Sequence, residues 1–387
     1  MISTFRERQI ARASEALIAR GGGFIDLPTL LPASLVLELA GEGLRPRLFF
    51  ASGPDGSELC LRPDLTIPAA LHYVARSEYD NDPFAWACKG QVFRAPRVDE
   101  ARQPEFVQIG LERFGDPDII PTDVTIFLAA WGACVSADIG IGFGPLHVRF
   151  CDGGLLPTII EAADLPEVWR SALREHLGHS RAFLSILAQA SGSAPPRVIS
   201  SLERELVELS PTDAIVRVEA ALANGDLSLA GGRSVEDVTA RLVTRARRAL
   251  APPLQDEDAQ TLTALASFTD QGSPKATLDH VVKLAANLGV DLGDWRHGWQ
   301  ARLDAIAAVA PNALMHCCLD ALGEEAFDYY DGMAFDIAID PNFKRPIATG
   351  GRYDRLVGEI SGGSRQARAI GCVVRPDRFG TDINGDS

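Results

Sequence analysis

The chain has 387 residues, of which 46% are hydrophobic and 23% are charged, and its formal net charge is −15. This length allows two or three domains, and the sequence contains neither a run of 18 uncharged apolar residues that would span a membrane nor a secretory signal at its start. Proteins that bind a nucleic acid backbone usually present a basic surface, so the acidic balance disfavours that class of partner.

The cysteines indicate free thiols. There are seven of them, an odd number, and no two stand in a CxxC pair. Most lie in apolar stretches, and the ligand spacings typical of zinc sites are missing. We therefore expect buried thiols in a reducing compartment, with no disulfide framework, no bound metal and no cofactor.

In chain order, the first part of the sequence combines one helix with several strands. Apolar residues at helical spacing predict a helix over 4–20, and Gly21-Gly22-Gly23 ends it. Strand patterns between turn signals then follow at 24–28, 48–50, 59–61, 86–93, 106–114 and 147–150.

Helical patterns take over near residue 164. Asp164, with Glu167 three residues later, has the form of a capping box, and Trp169 begins an apolar face. Further helices are predicted at 198–209, 234–250, 259–268 and from Ser273-Pro274 onward. Strand patterns return at 314–319, 333–339 and 369–374. This order predicts an antiparallel α+β domain that is interrupted by a helical insertion.

Two stretches of the first part place polar residues where a ligand would need them. In Leu61-Arg62-Pro63-Asp64-Leu65-Thr66, the carboxylate of Asp64 is suited to an ammonium group, although an Asp in a polar turn also bonds its own backbone. Gln108, Gly110 and Glu112 share one face of a predicted strand. Gly110 would leave open space over the sheet for a ligand; the other interpretation is an ordinary polar pair on a solvated face.

Two stretches of the last part add aromatic residues. Phe327-Asp328-Tyr329-Tyr330-Asp331-Gly332 offers two adjacent tyrosines, which either clasp an imidazole with a ring and a hydroxyl or simply pack a turn. Gly350-Gly351-Arg352-Tyr353-Asp354 follows twenty residues later, and its glycines permit close approach of the backbone.

Together with Phe93-Arg94-Ala95-Pro96 and 105–115, these stretches resemble the motifs of the histidyl branch of class II aminoacyl-tRNA synthetases. The resemblance implies a class II synthetase-like core with an antiparallel sheet flanked by helices, in two parts at 1–155 and 311–380. A mainly helical insertion at 156–310 would separate them, and 381–387 would be a polar tail. It also implies a histidine pocket formed by Asp64, Thr66, Gln108, Glu112, Tyr329, Tyr330 and Tyr353.

The same resemblance implies roles for three arginines and a dimer. Arg94 and Arg102 stand at the arginine positions of motif 2, and Arg378 stands at that of motif 3. All three are candidate anion-binding residues. Pro28 stands where the motif 1 proline lies at the dimer interface, so we expect a homodimer through the core.

The chain departs from this family where ATP would bind. Pro96 replaces a glutamate that binds the adenine amino group, and proline has neither a carboxylate nor an N–H donor. Glu325 stands in place of a catalytic arginine, which reverses the charge beside a phosphate. Arg375 replaces a glycine of motif 3 that lies against ATP. The chain also continues for only nine residues after Arg378, so we expect no anticodon-binding domain.

A synthetase-like chain that keeps a histidine pocket and loses its ATP site resembles the regulatory subunits of ATP phosphoribosyltransferase. That family implies a cytoplasmic hetero-oligomer with the short-form catalytic subunit of the first step of histidine biosynthesis, and feedback control by L-histidine. It implies no catalytic residues, no membrane and no nucleic acid partner for this chain. Two alternatives stay open: a truncated class II synthetase-like enzyme that activates an amino acid, and a tRNA-sensing module.

Overall fold

The computed structural model describes residues 2–21, 23–76, 83–96, 103–138, 144–177, 180–195, 197–225, 234–321 and 329–379. Within them the chain forms an eight-stranded sheet, a three-stranded sheet and fourteen α-helices. Three short 3₁₀ helices lie at Glu42–Arg47, Pro311–Leu314 and Pro376–Arg378.

The strands are β1 (Phe24–Ile25), β2 (Leu30–Pro32), β3 (Phe50–Ser52), β4 (Glu58–Leu61), β5 (Phe84–Phe93), β6 (Glu105–Phe114), β7 (His147–Asp152), β8 (Cys317–Leu319), β9 (Met333–Ala338), β10 (Ala348–Arg352) and β11 (Ala369–Val374). The large sheet has the order β1-β5-β6-β11-β10-β9-β7-β8, and the small sheet has the order β2-β4-β3. The large sheet is antiparallel except at its edges, where β1 pairs with β5 and β7 pairs with β8 in parallel. The predicted antiparallel sheet is confirmed for the central strands, and the long connections between the edge partners supply the crossovers that parallel pairing requires.

The helices are α1 (Ile2–Gly21), α2 (Ala33–Ala40), α3 (Thr66–Val74), α4 (Ile119–Ser136), α5 (Leu155–Ala162), α6 (Glu167–Arg174), α7 (Ser180–Ala190), α8 (Ser201–Glu208), α9 (Pro211–Asn224), α10 (Val235–Leu250), α11 (Asp256–Ala266), α12 (Pro274–Asn287), α13 (Gly293–Val309) and α14 (Asp354–Ile360). The predicted start at Ser273-Pro274 is confirmed, since the Ser273 hydroxyl accepts the N–H of Ala276.

Helices cover both faces of the large sheet. On one face, α1 and α4 pack against its central strands. By length and composition α4 could cross a membrane, but 56% of it is buried inside the fold, as is usual for a core helix. On the other face, α3 and α14 cover β6 and β11 and join α2 in a second core that includes Trp86 and Phe114.

The helical segment from α5 to α13 shares its core with the large sheet. Trp169, Phe183 and Trp299 belong to the same buried cluster as Phe150 of β7, and the rings of Phe150 and Trp299 lie 5.9 Å apart. Helices α8, α9 and α10 add a small core of their own around Leu206. The proposed division at 156–310 therefore marks a change in secondary structure, while the packing continues across it.

The predicted capping box at Asp164 and Glu167 is wrong. Helix α6 begins at Glu167 with Pro166 before it and has no side-chain cap. A proline pushes the preceding residue into an extended conformation, so no helix could begin at Asp164 and run through Leu165. The structure instead has a capping box between Ser200 and Glu203 at the start of α8.

Candidate functional site

The candidate site lies on the face of the large sheet that α3 and α14 cover. The strand register aligns Glu112 of β6 with Gly371 of β11, and Gly371 with Gly351 of β10. Gly351 is aligned in turn with Ala334 of β9. These small residues keep the sheet surface low, so that large side chains from the adjoining loops can lie over it.

Glu112 is the central acid of the site and is fully buried. One carboxyl oxygen accepts a hydrogen bond from the hydroxyl of Thr66 at 2.8 Å, and the other accepts one from the hydroxyl of Tyr353. Burial raises the pKa of Glu112 to about 8, although both hydroxyls favour the ionised form. At neutral pH this carboxyl therefore keeps its proton unless a cation is bound beside it.

Asp64 is the second buried acid; its predicted bond to the local backbone is confirmed, and its role toward an ammonium group stays a prediction. One carboxyl oxygen accepts the N–H of Ile67 in the first turn of α3 at 3.1 Å. The other accepts the hydroxyl of Tyr329 at 3.1 Å. Burial raises the pKa of Asp64, while the N–H of Ile67 and the charge of Arg94 act in the opposite direction. Asp64 thus both fixes the local turn and faces the site.

Three tyrosines surround the two acids. The ring of Tyr329 lies 5.0 Å from that of Tyr330 and 5.9 Å from that of Tyr353, edge to face in both pairs. Tyr330 lies over Gly351, where an added Cβ would be 2.7 Å from the tyrosine ring. Gly351 therefore has to be a glycine for the Tyr330 ring to approach the backbone this closely, as the sequence predicted for the Gly350-Gly351 pair.

Gln108 is the member of the site with unused hydrogen-bonding capacity. Its side chain is only 1% exposed, and neither its amide nitrogen nor its amide oxygen has a hydrogen-bond partner among the described residues. Leaving a buried polar atom unpaired costs about 1–3 kcal/mol. Such a cost is expected where a ligand supplies the missing partner.

The predicted open space above Gly110 is not there. A Cβ at Gly110 would lie 2.8 Å from the sulfur of Cys88, the residue directly across from it on β5. The buried thiol of Cys88 therefore fills the gap. The prediction failed because strand alternation identifies the face of a residue but not the size of its cross-strand neighbour.

The glycine that does create room for the site is Gly371, which sequence reasoning missed. A Cβ at Gly371 would overlap with Oε2 of Glu112. Any other residue at this position would displace the central carboxyl. The signal in the sequence is a single glycine in a hydrophobic strand, and its meaning depends on the register of β11 with β6.

The candidate anion-binding arginines have different surroundings. Arg94 is buried with its guanidinium 5.3 Å from the centre of the Phe106 ring. Arg378 donates a hydrogen bond to the carbonyl oxygen of Pro346 at 2.6 Å, and Arg375 donates to the same oxygen at 3.3 Å. Arg102 and Glu325 lie outside the described residues.

A cluster of charges that the sequence analysis missed lies behind the tyrosines. Arg352 donates two hydrogen bonds to Asp123 of α4, and Arg302 of α13 donates two more. The main-chain oxygen of Arg352 accepts the N–H of Asp331, whose carboxylate in turn accepts the N–H of Asp354 at the start of α14. The cluster therefore holds two parts of the chain in place. One is the loop that contains Tyr329, Tyr330 and Asp331, called the tyrosine loop below, and the other is the strand that leads to Tyr353.

The described side chains offer binding groups rather than a reaction centre. The candidate site around Glu112 contains two carboxyls, an amide, a threonine hydroxyl and three phenols. Burial raises the pKa of Tyr329, of Tyr353 and of the nearby thiol of Cys88. Raised pKa values keep these groups protonated and make them poor nucleophiles. No group of three or more potential metal ligands occurs in the described parts of the chain.

Comparisons with known proteins identify relatives in sequence and in fold. ATP phosphoribosyltransferase regulatory subunits of Mesorhizobium japonicum and Brucella anthropi are 29% and 28% identical to the chain, over 95% and 93% of both partners. A solved structure titled ATP phosphoribosyltransferase regulatory subunit/histidyl-tRNA synthetase, from Bacillus halodurans, has a TM-score of 0.61 at 18% identity and covers 97% of this chain and 78% of that one. A histidine–tRNA ligase subunit from Alicyclobacillus acidocaldarius has a TM-score of 0.56 at 19% identity, with coverage of 97% and 91%.

The structural likenesses confirm the predicted synthetase-like fold. The sequence model described as histidyl-tRNA synthetase matches residues 4–226 and 230–378, which is nearly the whole chain. The chain therefore belongs to the histidyl-tRNA synthetase family.

Proposed function

We propose that this chain is the regulatory, non-catalytic subunit of an ATP phosphoribosyltransferase and that it binds L-histidine in the site around Glu112. The names of its relatives support the first part. The second part is supported by one observation: Asp64, Tyr329, Tyr353, Glu112 and Thr66 form a continuous chain of side-chain contacts, although they come from distant parts of the sequence.

The chemistry of the site suits a cationic amino acid. Asp64 and Glu112 are buried carboxyls whose described hydrogen bonds come from hydroxyl groups and one main-chain N–H. Histidine brings an ammonium group and an imidazole, both of which form charge-assisted hydrogen bonds with carboxylates. The imidazole also fits among aromatic rings such as those of Tyr329 and Tyr330.

Regulation would follow from a shift between two arrangements of the complex. Asp331 joins the tyrosine loop to α14, because its carboxylate accepts the N–H groups of Asp354 and Arg355. A ligand that holds Tyr329 and Tyr330 closed also fixes this connection. Such a ligand shifts the equilibrium only by its difference in affinity for the two states, typically about 1–3 kcal/mol.

The remaining parts of the proposal concern partners and location. The short-form catalytic subunit would be the partner in a cytoplasmic hetero-oligomer, and Arg94, Arg102 and Arg378 would supply residual affinity for anions. A homodimer would form through the region around Pro28. Leu30 of β2 and Phe50 of β3 support this contact, since both are more than two-fifths exposed on the small sheet.

Calorimetric titration of the purified chain with L-histidine, and separately with ATP, tests the proposal. We expect histidine to bind and ATP not to bind. Addition of the chain to a short-form catalytic subunit should raise the rate of phosphoribosyl transfer and make that rate sensitive to histidine. ATP binding together with histidine-dependent pyrophosphate exchange would instead identify an amino-acid-activating enzyme.

A further inference from the structure

Two buried polar side chains with unused hydrogen-bonding atoms lie opposite each other on the face that carries the site. The antiparallel register pairs Ile109 of β6 with Val374 of β11, so the next pair in the same register is Gln108 and Arg375. Both side chains are less than one-tenth exposed. Residues directly opposite on adjacent strands project from the same face of a sheet, so both lie on the face of Glu112.

The guanidinium of Arg375 is fixed but not fully used. Its main-chain N–H donates to the carbonyl oxygen of Ile347, which keeps the extended register beyond the end of β11. One terminal nitrogen donates to the carbonyl oxygen of Pro346, whereas Nε is buried without a hydrogen-bond partner among the described residues. Arg375 therefore presents a positive charge and a free donor beside the unpaired amide of Gln108.

The two ends of the site carry opposite charges. Asp64 and Glu112 form an acidic end, and Arg375 with Gln108 forms a basic end on the same sheet face. Gln108 and Glu112 are four residues apart on β6, about 13 Å between their Cα atoms at the usual strand rise.

Tyr330 supports the position of the arginine charge relative to the site. Burial is the main cause that raises the pKa of Tyr330, and the charge of Arg375 acts to lower it. The guanidinium is thus close enough to influence the ring that lies over Gly351. The same guanidinium donates to the carbonyl oxygen of Pro346.

We propose that Arg375 and Gln108 form a carboxylate-binding subsite that recognises the α-carboxylate of the amino acid whose cationic groups face Asp64 and Glu112. A guanidinium and a side-chain amide supply N–H donors that a carboxylate accepts. This inference rests on the proposed function, because the amino acid is the ligand of that site. It gives Arg375 a positive role, whereas from the sequence this residue only fills the place of a glycine.

The test compares L-histidine with histamine, which lacks the carboxylate, by calorimetric titration of the full chain. The parent protein should prefer histidine to histamine by about 10- to 100-fold, the usual worth of a hydrogen bond to a charged group. Arg375→Met should reduce this preference to near unity by weakening histidine while leaving histamine unchanged. Histamine binding also reports that the variant is folded and that the acidic end is intact.

Further variants separate the subsite from general effects of losing a buried arginine. Arg365→Met removes another buried guanidinium that donates to a main-chain carbonyl, that of Tyr73, and should keep the preference for histidine. Arg375→Lys keeps the charge and should retain part of the preference if Arg375→Met does not fold. Arg94→Met tests whether Arg94 binds the carboxylate instead. If Arg94→Met loses the preference for histidine over histamine while Arg375→Met keeps it, the proposal is overturned.

A calorimetric titration with inorganic phosphate completes the test. If phosphate binds at the same time as histidine, and Arg375→Met abolishes only the phosphate signal, the subsite serves a separate anion and the carboxylate assignment is wrong. An Arg375→Met protein that keeps the full preference for histidine also overturns the subsite but leaves the proposed function standing. A parent protein that does not bind histidine at all overturns both.

Discussion

Glu112 and Asp123 are both fully buried carboxyls, but their surroundings differ. Asp123 accepts four hydrogen bonds from the guanidinium groups of Arg302 and Arg352, at 2.6–2.8 Å. The hydrogen bonds described for Glu112 come from the neutral hydroxyls of Thr66 and Tyr353. Asp123 therefore has its charge matched by two guanidinium groups, whereas the partners of Glu112 within the described parts of the chain are neutral.

We infer from this difference that Asp123 stabilises the fold, whereas Glu112 is the acid available to a ligand. A matched buried ion pair is costly to break because removal of one partner leaves the other charge without compensation. The Asp123 cluster joins α4, α13 and the strand before Tyr353, so it holds the site in place. Among the described residues no cation is paired with Glu112, and we expect a ligand cation to take that place.

The largest expected effect comes from breaking the matched cluster. Asp123→Ala leaves Arg302 and Arg352 buried without their carboxylate, and we expect a loss of about 3–5 kcal/mol in the free energy of unfolding. Urea denaturation measures this loss. The control is Asp279→Ala, which removes a solvent-exposed partner of Arg296 and should have a far smaller effect. Equal losses of stability in Asp123→Ala and Asp279→Ala would show that the buried cluster contributes no more than an exposed ion pair.

The next expected effect is a pH dependence of the free energy of unfolding, caused by the titration of Glu112. The pKa of Glu112 is raised from 4.5 to about 8 in the folded protein, so between these values the unfolded chain loses a proton that the folded chain keeps. The stabilisation is fully present below about pH 4.5 and is lost progressively as the pH rises to about 8, by roughly 5 kcal/mol at most.

Glu112→Gln should remove this contribution, because an amide does not titrate. Urea denaturation at several pH values across the same range should therefore give a shallower decline for the variant than for the parent. A variant whose stability falls as steeply as that of the parent would show that Glu112 is not the proton-holding group. Saturating histidine should also flatten the decline for the parent, since a bound cation favours the ionised carboxyl.

The smallest of the three effects tests the room that Gly371 leaves for Glu112. Gly371→Ala places a Cβ against the carboxyl, and we expect a cost of about 1–3 kcal/mol in stability together with weaker histidine binding. Gly132→Ala is the matched control, because a Cβ there meets nothing within 4 Å and a helix gains about 1 kcal/mol from the exchange. Unchanged histidine affinity in Gly371→Ala would place the ligand elsewhere.

The sequence by itself determined the family and the type of fold, and it named the candidate residues of the site. Ordered motifs identified Asp64, Thr66, Glu112 and the tyrosines, and strand alternation placed Gln108 and Glu112 on one face because side chains alternate with a period of two. Apolar spacing also located α1, α8, α10 and α11 and most strands of the large sheet, but it did not identify α4, α9 or α13. These features are local in the chain, so local sequence is sufficient to predict them.

The tertiary structure alone decided the features that depend on contacts between distant residues. The register of β6 with β11 gives Gly371 its function, and continued past Val374 it sets Arg375 opposite Gln108. Long crossover connections make the edge pairs of the sheet parallel, and packing of α13 on α4 joins Arg302 to Asp123. No local pattern encodes such partners, because cross-strand neighbours and buried ion pairs are specified only when the whole core is assembled.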